Sequence, residues 1–312
     1  VPRVVLMLTR EGNYQRHDKR FRGVLEAAGW RVEATGFTDR PFVGVPDWIE
    51  RTGLTPTATM SWEEHGGQFC NGRMIEYANW ALDHGIAPLH VDLAYLDHNN
   101  AYILDRYGRM GEGLIEADWP NTDAHPVDWS ACNPPVSRYV TAWRERWERS
   151  ADMPPLREPG YVVFWTQWSA YLCRLGGGWP EILSEAQKRL GAAGERLVVK
   201  TGPVGSAGRD GWPAGLDVVA HDRNVPLQNE RLIRHAKYHL ILCSSVSNEL
   251  ILAGAPVFAL GRTRFTGRGV FDEPASWDEI GTRPPVVNEH ARNRYLRWWL
   301  ANQVYSGGFP AR

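Results

Sequence analysis

The sequence predicts an α/β protein made of two doubly wound domains with parallel sheets. Three observations lead to this fold class: strand and helix patterns alternate along both halves of the chain, several predicted helices end at a glycine, and a proline-rich stretch separates the halves. Open α/β sheets bind ligands at the carboxyl ends of their strands. The residues that follow each predicted strand are therefore the first candidates for function.

The first half contains four predicted strands and two predicted helices. Apolar runs predict the strands Arg3–Leu8, Trp30–Gly36, Thr57–Trp62 and Ile86–Val91. Helical spacing of apolar residues predicts the helices Asp18–Ala28 and Asn71–His84, which end at Gly29 and Gly85. We assign residues 1–118 to an N-terminal domain.

The second half repeats this alternation after residues 119–160, where six prolines frame one charged helix, 136–150, and predict an interdomain connection. The predicted strands are Tyr161–Trp165, Arg196–Thr201, Leu216–Ala220, Tyr238–Leu242 and Pro256–Leu260. The predicted helices are Pro180–Leu190, Asn229–Ala236 and a short one that ends at Gly254. We assign 161–287 to a C-terminal domain, followed by a segment, 288–312, whose predicted helix is Asn288–Val304.

Composition and charge narrow the functional classes. The 312 residues include 35 basic and 36 acidic side chains, a net charge of −1, so the chain has no global basic field for nucleic acid, although a local basic cleft is compatible with this balance. No apolar stretch approaches the length of a membrane span. The four scattered cysteines form no CxxC pair, so we expect no metal site and a reducing, cytoplasmic location.

The strongest functional signal lies in residues 240–260, where a strand, a serine-rich helix start, a glycine and a second strand follow one another. The N–H groups and the dipole at such a helix start favour an anion such as a diphosphate. Glu249 lies in the first turn, and Gly254 and Pro256-Val257 follow it. This spacing resembles the donor half of two-domain (GT-B) glycosyltransferases.

The GT-B resemblance implies two Rossmann-like domains that face a central cleft, and a nucleotide-sugar as the co-substrate. A UDP-sugar is the expected donor, and no further cofactor or metal is expected. In that family the glutamate at the position of Glu249 binds the ribose hydroxyls of the donor. A C-terminal helix often packs back on the N-terminal domain, and the segment 288–312 is the candidate here.

A narrower resemblance covers Ala220 to Pro274, which is similar to the C-terminal region of bacterial capsule (Kdo) sugar transferases. The matching elements are Asn229–Ala236, Ser244–Glu249, Gly254–Val257 and Gly261–Gly269. The chain departs from that family after its third strand, where Lys200-Thr201-Gly202-Pro203 replaces the usual Lys-x-His-Pro. The missing histidine means that the donor and the chemistry of that family do not carry over unchanged.

Transfer from a nucleotide-sugar requires that the charge of the leaving diphosphate be stabilised, which GT-B enzymes do with basic side chains and a helix N-terminus. We expect the diphosphate to contact Ser244, Ser245, Ser247 and Asn248. Basic candidates for the leaving group are Lys200, Arg209, Arg262, Arg264 and Arg268. Two residues that follow the first strand of this half, Thr166 and Gln167, are expected to line the phosphate or sugar site.

The acceptor half should supply a general base, because the acceptor hydroxyl loses a proton during an inverting transfer. Asp92 is our candidate, since it ends the fourth predicted strand and no strong helix that it could cap follows it. Further acceptor contacts are expected from loop residues, namely Glu11, His65, Asp97 and His98.

The layout around Asp92 suggests one acceptor. Gly66-Gly67, a helix and a short strand that leads into Asp92–Leu96 resemble the layout of T-even phage DNA β-glucosyltransferases. The resemblance implies a hydroxymethylated pyrimidine in double-stranded DNA as the acceptor. With the compact length and the missing membrane-association signal, it leads us to expect a DNA-modifying transferase in the host cytoplasm. A surface-polysaccharide (capsule-type) transferase is the alternative, and UDP-sugar 2-epimerase-like enzymes or non-catalytic sugar-nucleotide binding modules are further ones.

Overall fold

The computed structural model divides the chain into two compact units, Val1–Thr122 with Trp298–Arg312, and Asp123–Arg297. The structure describes residues 4–9, 22–36, 41–62, 80–93, 101–105, 118–132, 134–166, 173–202, 211–242, 244–261 and 265–305. The boundary lies close to the predicted one at residue 118. Most of the predicted connection, 119–160, falls within the second unit.

The first unit contains a six-stranded mixed sheet in the order β11-β5-β4-β3-β1-β2. Its strands are β1 (Val4–Thr9), β2 (Arg31–Gly36), β3 (Ala58–Trp62), β4 (Ala87–Leu93), β5 (Ala101–Asp105) and β11 (Gln303–Tyr305). Strands β1 to β4 pair in parallel, whereas β5 and β11 pair antiparallel. The described helices are α1 (22–27), α2 (Pro41–Thr52) and α3 (80–83).

The core of this unit lies between strand β1 and helix α2. The alternate residues Val4 and Leu6 of β1 are buried, as are Val45 and Trp48, which lie three residues apart on α2. The Trp48 indole also donates to a carboxylate oxygen of Glu33 at 2.8 Å. Helix α2 was not predicted because it contains Gly44 and Pro46, residues that usually interrupt helices. Burial of its apolar face offsets that penalty.

Two predictions for the first unit need correction. The sheet is mixed rather than wholly parallel, because the chain turns back after β4 and β5 pairs antiparallel with it. The final helix, α8 (Glu289–Asn302), does not reach Val304 as predicted. Val304 instead pairs with Tyr102 of β5, so that the end of the chain extends the sheet of the first unit.

The second unit contains a five-stranded sheet in which every pair is parallel, in the order β10-β9-β6-β7-β8. Its strands are β6 (Tyr161–Trp165), β7 (Leu197–Lys200), β8 (Asp217–Val219), β9 (Ala236–Ile241) and β10 (Val257–Ala259). Its helices are α4 (Pro134–Arg149), α5 (Trp179–Ala192), α6 (Gln228–His235), α7 (Ser247–Leu252) and most of α8. These elements confirm the predicted α/β order.

The strand order contains one topological switch. From β6 the chain adds β7 and then β8 on one side, and it returns to add β9 and β10 on the other side. The connections that follow β6 and β9 therefore lead to strands on opposite sides of the pair, which makes the gap between β6 and β9 a topological switch point. This is the position at which open parallel sheets bind ligands.

The core of the second unit fixes the sheet against helix α5. Phe164 of β6 and Leu240 of β9 point to the same face and are fully buried with Leu183 of α5. Trp179, the first residue of α5, meets the Phe164 ring edge-on with 5.9 Å between centroids. Each such side chain contributes about 1.5–3 kcal/mol by leaving water. The strand ends are thus held on a rigid base.

Helix α4, which lies in the stretch predicted as the interdomain connection, packs against helix α6 of the second unit. The Arg234 guanidinium of α6 lies 4.0 Å from the ring centroid of Trp147 on α4. The Nε of Arg146 on α4 donates to a carboxylate oxygen of Glu230 on α6 at 2.7 Å. These contacts are the physical reason for its place in this unit.

No helix among the described residues is long and apolar enough to span a membrane.

Candidate functional site

Polar residues collect at the carboxyl edge of the second sheet, on both sides of the switch point. Thr166 follows β6, Lys200 ends β7, His221 follows β8, and the segment 244–249 follows β9, while β10 is followed by a glycine, Gly261. Because all five strands are parallel, these residues lie at one edge. The sequence predicted this placement for Thr166, Lys200 and the 244–249 segment.

Lys200 is a cation inside the protein. Its side chain is 3% exposed, and its Nζ donates to the Thr201 carbonyl at 2.6 Å. None of the carboxylates that the structure describes forms an ion pair with it. Burial lowers the pKa of Lys200 to about 8. A buried ammonium at a strand end, without a paired carboxylate in the described part of the chain, is suited to binding an anion.

Two threonines tie the strand ends around Lys200 together. The Thr166 hydroxyl and backbone N–H both donate to the Lys200 carbonyl, at 3.2 and 2.9 Å. The Thr201 hydroxyl accepts the backbone N–H of His221 at 3.2 Å. Burial and the nearby Lys200 charge lower the pKa of the His221 imidazole. His221, which the sequence analysis did not single out, therefore lies within electrostatic reach of the ammonium.

The start of helix α7 differs from the serine-capped start that the sequence predicted. Val246 occupies the N-cap position, and no side chain caps the helix. The Ser244 hydroxyl accepts the Val246 N–H at 3.4 Å, and the Ser247 N–H donates to the Ser244 carbonyl at 3.0 Å. The turn itself thus takes up N–H groups that were expected to face a ligand. The predicted end at Gly254, whose φ is +66°, is confirmed.

The first two residues of α7 carry buried polar atoms. Ser247 and Asn248 are almost completely buried. The Ser247 hydroxyl and both amide atoms of Asn248 have no hydrogen-bond partner among the residues that the structure describes. Buried polar groups are nearly always paired, so three such atoms in two consecutive residues mark this helix start as unusual. The exposed Ser245 and half-buried Ser244 complete the serine cluster.

Glu249 belongs to a network that the sequence did not predict. One of its carboxylate oxygens, Oε2, accepts a hydrogen bond from the Asn229 side-chain amide at 3.3 Å. Burial and the neighbouring Glu230 carboxylate raise the pKa of Glu249 to about 7, against the opposing effects of Asn229 and Arg146. The residue itself is half-buried. These three neighbours lie 19 or more residues away in sequence, so no local pattern could indicate them.

Gly261 lets the chain after β10 pass close to the end of β9. A Cβ atom at this residue would lie 2.6 Å from the carbonyl carbon and oxygen of Leu242, well inside contact distance. Its φ is not in the left-handed region, so close approach is what requires glycine here. The contact fixes the position of Gly261 at the carboxyl edge of the sheet.

Gln167, Arg209, Arg262, Arg264, Glu11, His65, Asp97 and His98 lie outside the described residues. Arg268 is described, and its guanidinium donates to the Thr266 carbonyl at 2.8 Å.

Asp92 is described only as backbone. It is the penultimate residue of β4 rather than its last, and it pairs with Ile103 of the antiparallel strand β5. Gly66 and Gly67 lie outside the described residues. The resemblance to phage DNA glucosyltransferases therefore gains no support from the described structure.

Comparison with known proteins places the fold. No protein-family model matches the sequence, and no curated protein matches it. A solved structure of KpsC from Thermosulfurimonas dismutans, described as a β-Kdo 2,7 transferase, is similar over 97% of this chain and 92% of that chain, with 12% identity and a TM-score of 0.57. A second, described as its β-Kdo 2,4 transferase, is similar over 96% and 91%, with 13% identity and a TM-score of 0.56. UDP-GlcNAc 2-epimerase from Methanocaldococcus jannaschii covers 95% of this chain and 99% of that chain, with 11% identity and a TM-score of 0.41.

The two KpsC structures establish the fold and nothing further, because their identity to this chain is so low. The similarity extends over almost the whole chain and over nine-tenths of each transferase structure. The predicted α/β architecture with two Rossmann-like domains, the GT-B design, is confirmed.

Proposed function

We propose that this chain is a glycosyltransferase of the bacterial capsule type, which moves a sugar from a nucleotide-sugar donor to a hydroxyl group of a surface polysaccharide. The observation that carries the proposal is the carboxyl edge of the second sheet. A buried cation, buried polar atoms that have no hydrogen-bond partner among the described residues, and a glutamate in the first turn of a helix all lie at this edge. The fold shared with two Kdo transferases supports a glycan acceptor.

The reaction forms a bond between the acceptor oxygen and the anomeric carbon, and it breaks the bond between that carbon and the phosphate oxygen. The nucleoside diphosphate leaves with the bonding electron pair, and the acceptor proton moves to a base. Lys200 would stabilise the charge of the leaving phosphate, and Ser247 and Asn248 would bind its oxygens. Glu249 would accept hydrogen bonds from the ribose hydroxyls, and Asp92 would take the proton of the acceptor hydroxyl.

A DNA acceptor has no supporting observation in the described residues, and the net charge of −1 gives the chain no general attraction for phosphate backbones. A UDP-sugar remains the proposed donor. The departure from the Kdo transferase pattern, Gly202 in place of the histidine, is the reason to include other nucleotides in the test.

The test combines nucleotide binding with a transfer assay. UDP, GDP and CMP are titrated first, and the corresponding sugars are then offered with a capsule oligosaccharide, hydroxymethylcytosine DNA or no acceptor. We expect nucleotide release that depends on the oligosaccharide. Release with modified DNA alone would reject the glycan acceptor, and equal release without acceptor would indicate an epimerase or hydrolase.

Two variants separate binding from chemistry in the same assay. Glu249→Gln should weaken nucleotide binding by about 10- to 100-fold, because a neutral amide replaces a charged acceptor. Asp92→Asn should bind the nucleotide normally and lose turnover by at least about 100-fold, because it removes the base. Glu185→Gln, on the surface of α5, is the matched control and should change neither quantity. Normal turnover of Asp92→Asn would reject Asp92 as the base.

A further inference from the structure

Three helices of the second unit bring four polar side chains together behind the start of α7. Arg146 comes from α4, Asn229 and Glu230 come from the first turn of α6, and Glu249 comes from the first turn of α7. All four lie in one unit, although the first and last are separated by more than a hundred residues of sequence. We call this group the Arg146 network.

Two hydrogen bonds connect the network in pairs. Arg146 Nε donates to Glu230 Oε1 at 2.7 Å, and Asn229 Nδ2 donates to Glu249 Oε2 at 3.3 Å. The Glu230 side chain is only 7% exposed, whereas that of Arg146 is 33% exposed. Because the guanidinium bonds to Glu230, Glu249 receives a weak amide bond and only the longer-range field of Arg146.

The network contains two carboxylates but only one guanidinium. In the described part of the chain, the groups that act electrostatically on Glu249 are Glu230, Arg146 and the Asn229 amide. Burial and Glu230 raise the pKa of Glu249 to about 7, so its carboxyl group titrates near neutral pH. Its second oxygen, Oε1, has no hydrogen bond to any described residue.

We propose that Arg146, Asn229 and Glu230 are positioning residues of the donor site, which hold Glu249 with one carboxylate oxygen free for the donor ribose and set the pH range in which the donor binds. This inference rests on the proposed function, because it assigns a regulating network to the same site. Asn229 orients the Glu249 carboxylate. The charge of Glu230 disfavours ionisation of Glu249, and the charge of Arg146 partly offsets that repulsion.

The pH dependence follows from the ionisation of Glu249. The remaining oxygen of an ionised carboxylate accepts hydrogen bonds from the ribose hydroxyls, whereas a protonated carboxyl group has lost most of this capacity. Donor affinity should therefore be full above pH 7 and fall as the pH decreases through 7, by up to about tenfold for each further unit.

The experiment measures the dissociation constant of UDP between pH 5.5 and 8.5 in wild-type protein and in network variants. Glu230→Gln removes a like charge and frees Arg146, so the midpoint should move to lower pH by about half a unit to one unit. Arg146→Gln removes the cation, so the midpoint should move to higher pH by a similar amount. Arg146→Lys should restore most of the wild-type midpoint. The titration of the UDP phosphate itself is common to all variants and cancels in the comparison.

A matched control keeps structural effects apart from positioning. Asp217→Asn breaks another inter-element ion pair of the same unit, with Arg157 at 2.7 Å, at the opposite edge of the sheet. It should lower thermal stability as Glu230→Gln does, without moving the pH midpoint. If the folded Glu230→Gln variant kept the same pH midpoint as wild-type protein and Arg146→Lys, the proposed network would be overturned. Failure of wild-type protein to bind UDP, GDP or CMP at any pH would instead overturn the donor site itself.

Discussion

The amino and carboxyl edges of the second sheet differ in how their charged and polar side chains are paired. At the amino edge the groups are paired: Asp217 bonds Arg157 at 2.7 Å, and Glu195 receives Lys237 Nζ at 3.2 Å and the Tyr238 hydroxyl at 2.6 Å. At the carboxyl edge, and within the part of the chain that the structure describes, Lys200 donates only to a carbonyl, and the buried Ser247 and Asn248 side chains have no hydrogen-bond partner.

This difference teaches where the sheet serves stability and where it serves binding. Both edges belong to the same parallel strands, so backbone geometry does not explain the contrast. Pairing of charges at the amino edge satisfies each group within the fold. Buried groups that no described residue pairs, as at the carboxyl edge, lower the stability of the protein, a property that is typical of functional sites. Variants at matched positions of the two edges can test the comparison.

The largest effect is expected from Lys200→Met. If Lys200 stabilises the leaving phosphate, nucleotide release should slow by about 100- to 1,000-fold. The free energy of unfolding at pH 7 should nevertheless increase, by about 2 kcal/mol, because an apolar side chain of similar length replaces a buried charge. Lys237→Met, at the amino edge, should leave turnover unchanged. Equal loss of turnover in both variants would remove the distinction between the edges.

The stability gain of Lys200→Met should depend on pH in a defined direction. The pKa of Lys200 is about 8 in the folded protein, below its ordinary value of 10.5. The penalty for keeping the charged ammonium buried is therefore complete below pH 8 and disappears between pH 8 and 10.5. Urea unfolding at pH 7 and at pH 10 should show the gain at the first pH and little of it at the second.

The second effect concerns close packing at the carboxyl edge. Gly261→Ala places a methyl group against the Leu242 carbonyl and should lower the free energy of unfolding by about 2–3 kcal/mol, because backbone on both sides must move. Nucleotide binding should weaken as the loop after β10 shifts. Gly191→Ala, in helix α5 with open space around it, should instead stabilise by about 0.5–1 kcal/mol. A neutral Gly261→Ala would show that this approach is not fixed.

The sequence predicted the second unit well because its signals are local. Buried parallel strands appear as short apolar runs, and Tyr161–Trp165 matches the observed β6 at both ends. Gly254 marks the end of α7 since only its left-handed φ allows that turn. The placement of Lys200 follows from strand order alone.

The remainder of the structure depends on long-range pairing. The residues that pair between the antiparallel strands β5 and β11 lie about two hundred positions apart in the sequence. Arg146 and Glu230 are 84 residues apart, so neither helix by itself indicates the ion pair. The expected serine cap failed for a local reason, because the turn from Ser244 to Ser247 hydrogen-bonds within itself and Val246 takes the capping position.

The smallest effect tests the comparison at the level of one hydroxyl group. Ser247→Ala should increase the free energy of unfolding by about 0.5–1 kcal/mol, because it removes a buried hydroxyl that lacks a partner in the described residues and introduces a better helix former. Nucleotide binding should weaken about 3- to 10-fold, as for the loss of one hydrogen bond. Ser276→Ala removes a hydroxyl that caps the turn at Trp277, so it should destabilise by about 1 kcal/mol and leave binding intact. If chemical denaturation shows that Ser247→Ala stabilises and Ser276→Ala destabilises, and only Ser247→Ala weakens binding, Ser247 contributes to binding at the expense of stability. Destabilisation by both variants would make Ser247 an ordinary structural serine.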